Sequence, residues 1–203
     1  RMLTLLALTS FGLPKMIPFQ NGDKKGEAQP EVWRQWEIPS APIQNASEEL
    51  ATFKVRKGLE VKLVASEPFI EDPVDAIWDA QGRLWVVEMQ AFMRNPDGIG
   101  EEDPVCKVGL LQDLDGDGAI DHRTDFLTNV SLPRAVCPVP GGALVLVPPN
   151  ILWCPDANED GVADKTIRVA EGFEQGLVNV EHAPNAMLWG LDNLLYLAKH
   201  SYR

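Results

Sequence analysis

From Phe53 onward the apolar residues fall in short runs rather than at a helical period. The runs carry Val, Leu, Ile and Trp, and Gly, Pro or Asp interrupts them about every 8–12 residues, the texture of short β-strands joined by turns. No stretch predicts a long amphipathic helix. Three segments share one plan: AIWDAQGRLWVVE (76–88), AVCPVPGGALVLV (135–147) and AMLWGLDNLLYLA (186–198). Each is an apolar run, a turn carrying Gly, Asp or Asn, and a second apolar run, so each predicts a β-hairpin. Leu84, Leu144 and Leu195 align as equivalent positions, 60 and 51 residues apart.

Two polar stretches stand between these hairpins. DLDGDGAID (113–121) places acids at positions 1, 3, 5 and 9, namely Asp113, Asp115, Asp117 and Asp121, with Gly118 at position 6. DANEDGVAD (156–164) repeats the plan with Asp156, Asn158, Asp160 and Asp164, and Gly161 at position 6, 43 residues on. The spacing matches the first half of an EF-hand calcium loop, which also needs a bidentate Glu at position 12 and helices on either side. Position 12 of the first stretch is Thr124, and the flanks read as strands. Both stretches therefore predict tips of β-hairpins that hold calcium with modest affinity. The alternative is a metal-free tip closed by Asx-turns and glycine.

A period of 40–50 residues belongs to propeller blades. The expected fold is all-β, a β-propeller in which the three alike hairpins are inner strands and the acidic tips lie on other hairpins of the same blades. A β-sandwich is the alternative, but it leaves the repeat unexplained. The roughly 150 residues after position 50 suffice for three to four blades of a propeller of six or more, so an N-terminal fragment of a longer propeller is expected.

The remaining sequence fills in context. Residues 3–13 form an apolar run too short to span a bilayer and suited to a signal peptide. The expected organisation is a signal peptide over 1–20, a linker over 21–50 with a short helical turn near Ser47–Leu50, and the β domain over 51–203. Trp33 and Trp36 are the linker's anchors. A net charge of −12 argues against nucleic acid or an anionic membrane as a partner, so membrane association is at most indirect. The cysteines, Cys106, Cys137 and Cys154, include no C-x-x-C pair and hence no zinc ribbon or haem attachment. They read either as buried small apolar residues or as the source of one disulfide.

The run KGLEVKLVASEPFIEDPVDAIWDAQGRLWVVEM (57–89) resembles the opening of the bacterial membrane-bound dehydrogenase domain proteins, also known as PVC-type haem-binding propeller proteins. VGLLQDLDGDGAIDHRTDF, its echo and NAMLWGLDNLLYLA continue the resemblance over residues 50–203. That family is similar to the soluble glucose/sorbosone dehydrogenases, six-bladed propellers that use pyrroloquinoline quinone and calcium. Those enzymes carry a catalytic His in the pattern H-x-x-x-x-[LM]-x-x-G-x-D-x-x-[IL]-Y. His182, Met187, Gly190, Asp192, Leu195 and Tyr196 fit its spacing.

The resemblance implies that His182 is the base that takes the substrate's hydroxyl proton. It also implies a sugar or alcohol substrate, a quinone cofactor, an electron acceptor, and a haem c domain C-terminal to this chain. Asn185 stands where the sugar enzymes have Gly, and Leu191 where they have Pro. The expected function is a periplasmic or secreted propeller oxidoreductase. The alternative is a non-catalytic, calcium-stabilised propeller that binds carbohydrate or a protein partner. His122 reads as a solvated strand residue, Glu88 as a channel-facing or solvated acid, and Trp78, Trp85, Trp153 and Trp189 as blade core.

Overall fold

A computed structural model describes residues 42–95, 98–173 and 183–198. It contains one short helix and ten strands. Helix α1 spans Ala46–Thr52. The strands are β1 Pro73–Trp78, β2 Leu84–Glu88, β3 Cys106–Gln112, β4 His122–Val130, β5 Ala135–Val139, β6 Gly142–Val147, β7 Asn150–Pro155, β8 Ile167–Glu171, β9 Asn185–Trp189 and β10 Leu195–Ala198. They form three antiparallel sheets in chain order: β1-β2-β3-β4, β5-β6-β7-β8 and β9-β10. All lie in the unit covering Gln44–Arg203. No helix among the described residues is long and apolar enough to cross a membrane.

Helix α1 forms where the helical turn is expected, because Asn45 caps it. The Asn45 side chain accepts from Ser47 and Glu48 N–H, and the Glu48 carboxylate accepts from Asn45 N–H at 2.8 Å. This reciprocal box satisfies N–H groups that a helix start leaves without partners.

The alternation of side chains along each strand builds a series of layers. Trp85 and Val87 on β2, with Val108, Leu110 and Phe126, face sheet two and meet Val136, Ala143, Val145 and Cys154. The Trp85 and Phe126 rings meet edge to face, 4.6 Å between centroids. The other face of sheet two carries Ala135, Cys137, Leu146 and Ile151 against Met187, Leu195 and Leu197 of sheet three. The other face of sheet one carries Val86, Leu111 and Ile120, covered by Val64, Ala65, Phe69 and Ile70. Each four-stranded sheet therefore buries both faces, which is why β2 and β3 read as almost continuous apolar runs.

All three alike segments form first hairpins, β1-β2, β5-β6 and β9-β10, as the sequence predicts. The equivalence of Leu84, Leu144 and Leu195 needs one correction. Leu84 pairs with Leu111 and with Trp78, whereas the residue in that place in sheet two is Ala143, paired with Cys154 and Pro138. Leu84, Ala143 and Leu195 all face the preceding layer, while Leu144 faces the following one. The β5-β6 turn is shorter, with Val139 opposite Gly142, and matching leucines by eye slips the register by one. In a strand a one-residue slip exchanges the two faces.

Three further expectations change. Residues 53–72 carry β-texture but pair with no strand among the described residues, where the first strand starts at Pro73. Of the two readings of the cysteines, the disulfide is not formed: Cys106, Cys137 and Cys154 are all free and buried. Burial pushes the Cys154 thiol up to about 11, and also raises that of Cys137, so both behave as small apolar residues. Of the four Trp residues, only Trp85 is fully in the core. Trp78 and Trp189 are about half exposed, at 52% and 49%.

Candidate metal centres at two hairpin tips

The acidic stretches join β3 to β4 and β7 to β8, so both are tips of the second hairpin of their sheet. Each closes with the same backbone bond, from Asp121 N–H to Gln112 C=O and from Asp164 N–H to Pro155 C=O. Position 1 accepts two backbone N–H bonds in each tip. Asp113 takes Gly116 and Gly118 at 2.7 and 2.8 Å, and Asp156 takes Asp160 and Gly161 at 3.1 and 3.0 Å. Position 3 accepts from the N–H of position 5, in Asp115–Asp117 and Asn158–Asp160. Position 5 accepts from position 7, in Asp117–Ala119 and Asp160–Val162, at 2.8 and 2.9 Å. Position 9 reaches back to the N–H of position 2, in Asp121–Leu114 and Asp164–Ala157.

The backbone dictates two further positions. Gly118 and Gly161 have φ of 94° and 81°, and position 4 is also left-handed, at 79° for Gly116 and 58° for Glu159. Glycine adopts that conformation at no steric cost, whereas a residue with a Cβ does not.

In the first tip, Asp113, Asp115 and Asp117 each present an oxygen, all within 4.8 Å of one another. Oxygens that share a Ca²⁺ at 2.3–2.6 Å lie at most about 5 Å apart, so the three carboxylates fit one ion. The bond from Gly118 N–H, with others, holds the Asp113 carboxyl below its usual range and keeps it charged. In the second tip Asn158 replaces the middle acid, and its Nδ2 donates to Asp160 Oδ2 at 2.9 Å. An ion there requires the amide to turn and offers one fewer negative ligand. Asp121 and Asp164, although at the right spacing, serve first as backbone acceptors. His122, the first residue of β4, is exposed, as the sequence reading has it. His182 lies outside the described residues.

A charged centre that the sequence reading misses sits under sheet one. Glu88 is fully buried, at 0% exposure, neither solvated nor facing a channel. Arg123 grips it with both terminal nitrogens at 2.7 Å and also bonds Asp125 at 2.6 Å. Arg123 also donates to the Phe69 carbonyl, and Glu88 accepts from Glu71 N–H at 2.8 Å and Gln90 Nε2 at 3.2 Å. Lys107 adds a looser contact to Asp125 at 3.5 Å. The guanidinium lies over Gly109, where a Cβ would stand 3.2 Å from Arg123 Cζ. The centre thus ties residues 66–72 to the face of sheet one. One sequence signal points to it: Gly109 interrupts the apolar run VGLL, and a glycine inside a strand marks a close approach.

The first-hairpin turns carry the third polar arrangement. Asp79 accepts from Gln81 and Arg83 N–H, Arg83 Nε and Trp85 Nε1, all at 2.7–2.9 Å. Burial opposes its charge, but these bonds outweigh burial and lower its pKa. In the third hairpin the carboxylate has moved two places on. Asp192 accepts from Leu194 N–H and, at 2.5 Å, from Tyr196 Oη, and Gly190 leaves room for both. The first two turns and the end of β9 border a cleft of about 710 Å³ that includes Trp78, Arg83, Pro140, Glu159 and Trp189.

The family model described as "Domain of unknown function (DUF7133)" matches residues 45–202. The chain belongs to this family. The DUF7133 region begins at Asn45, the residue that caps α1, and takes in every strand, both acidic tips and the buried ion pair. No curated protein and no solved structure matches the chain.

Proposed function

We propose that the three sheets are consecutive blades of an exported β-propeller oxidoreductase, and that calcium at the acidic tips stabilises the blades rather than taking part in chemistry. The propeller reading draws support from the repeated order of strands, inner hairpin then outer hairpin, and from sheets stacked face to face. The observation that carries the calcium reading is the pair of tips. Two segments 43 residues apart fold into one bonding pattern, and the first brings three carboxylates within 4.8 Å.

The tips and the starts of β1 and β5 lie at opposite ends of their sheets. The chain enters β9 at Asn185, which pairs with Ala198, and the β9-β10 turn lies at the other end. The tips lie with the first-hairpin turns, at the ends of sheets one and two remote from the strand starts Pro73 and Ala135. The family resemblance makes His182 the acceptor of a sugar or alcohol proton, a task suited to an imidazole near neutral pH. Pyrroloquinoline quinone, when bound, supplies the two-electron sink. The resemblance puts its ligands and any haem c attachment in later repeats, so no described residue is assigned to them.

The test uses the full-length polypeptide with quinone, calcium and a redox dye against a panel of sugars and alcohols. Turnover that needs the quinone, and a fall of about 100-fold or more in kcat for His182→Ala, are expected. No turnover and no quinone binding would leave the second reading, a binding module. The cleft favours that reading, since half-exposed Trp78 and Trp189 offer apolar faces on which a carbohydrate ring can stack.

A further inference from the structure

Residues 59–65 behave as a strand without a sheet. They form no helix, turn or paired strand, and among the described residues no backbone bond joins residues 60–63 to another segment. Leu59, Val61 and Leu63 are exposed at 67%, 38% and 39%. Their alternation with Glu60, Lys62 and Val64 has the period of a strand. A segment with strand-like apolar alternation and open N–H and C=O groups normally has a partner.

The repeat shows what this segment corresponds to. In the second tip, position 8 is Ala163, and its N–H donates to Phe126 C=O at 2.8 Å. Phe126 belongs to β4, the outermost strand of the preceding sheet. In the first tip, position 8 is Ile120, and its N–H donates to Val64 C=O, also at 2.8 Å. The packing repeats as well. Phe126 and Leu127 cover the face of sheet two, and Val64 and Ala65 cover the same face of sheet one. Val64 therefore stands to sheet one as Phe126 stands to sheet two. By the same register, Leu63 and Val61 take the places of Asp125 and Arg123, which point away from the following sheet.

We infer that residues 59–65 are the fourth, outermost strand of a further four-stranded sheet. Its three inner strands are supplied by repeats of the same polypeptide that follow sheet three. The inference rests on the propeller reading, in which such a strand joins the last blade to the first. The chemistry of the edge fits that occupant. β4 and β8 each pair with a third strand, β3 and β7, so the open edge of residues 59–65 calls for a β3-like strand running antiparallel to it. Leu59, Val61 and Leu63 then become buried against the layer before it.

Hydrogen–deuterium exchange tests this on the native full-length polypeptide and on the 203-residue chain. In the full-length protein the amides of residues 60–63 are expected to exchange on the order of 100-fold more slowly than in the 203-residue chain, independent of protein concentration. Lys62→Pro, which removes one ladder donor, should lower the unfolding midpoint of the full-length protein and leave that of the 203-residue chain unchanged. Equal, fast exchange in both proteins would overturn the inference. So would protection that disappears on dilution, which means a second copy is the partner, or a native product no longer than 203 residues. Solution scattering separates the two levels. A closed ring with unprotected 60–63 amides rejects the strand assignment alone, whereas a profile without a ring rejects the propeller reading.

Discussion

Arg123 reaches Glu88 across β3 because residue 109 has no side chain. The pair is buried, with 16% and 1% side-chain exposure, and a buried pair is most costly when one member is lost. Arg123→Met leaves the Glu88 carboxylate with only Glu71 N–H and Gln90. Urea unfolding should show a loss of about 3–5 kcal/mol, and Glu88→Leu in the same chain should restore part of it. A loss equal to the sum of the two single changes would show that the two side chains are independent.

The carboxylates at residue scale also set the response to acid. Asp79 and Asp125 have lowered pKa values, through Trp85 and Arg83 for the first and Arg123 for the second, which outweigh burial. A lowered folded pKa means stability that is present above the unfolded value, about 3.9 for Asp, and lost as pH falls through the folded one. The urea midpoint should hold between pH 7 and about 5 and decline below about 4. Asp79→Asn should make that decline shallower. An unchanged slope would mean that Asp79 is no better bonded in the folded chain than in the unfolded one.

At the scale of elements, the turns decide register. Gly142 has φ of 149°, and a Cβ there would stand 2.1 Å from the Cys154 carbonyl oxygen. Gly142→Ala should destabilise sheet two by at least about 2–3 kcal/mol, measured by thermal unfolding, because the obstacle is backbone and cannot swing aside. Glu159 holds the left-handed place that glycine holds in the first tip. Glu159→Gly should therefore be neutral or stabilising by up to about 1 kcal/mol, since relief of the strain is partly offset by glycine's unfolded-state freedom.

Elements were legible in the sequence where period and turn chemistry agree. The three first hairpins, both acidic tips and the helical turn near Ser47–Leu50 are examples, since each is decided within a dozen residues. The register of Leu144 was not legible, because turn length rather than apolarity sets it. Glu88 and Arg123 were not legible either. A strand-end acid and a strand-start base 35 residues apart meet only once β3 lies between them and offers Gly109.

For the whole molecule, the repeat means that a layer is understood through its neighbours. Sheet two is covered on both faces by sheets, whereas sheet one has residues 64–70 on one face. That asymmetry accompanies the β-rich residues 53–72, which belong to no sheet among the described residues. The acidic tips link successive layers, because position 8 of each bonds to the layer before it. Fixing a tip with an ion therefore fixes a contact between layers, and calcium should act on global stability.

Calcium binding to the chain, followed by calorimetric titration and by the melting temperature, tests that account most directly. With affinities in the 10⁻⁴–10⁻³ M range of extracellular modules, 10 mM calcium should stabilise by about 1.4–2.7 kcal/mol per occupied site. That corresponds to a rise of roughly 3–11 °C per site. The tighter site should vanish in Asp117→Asn, while the weaker site, built on Asp156 and Asp160, survives. No heat of binding and an unchanged melting temperature at 10 mM calcium would contradict the account and leave the tips as metal-free turns.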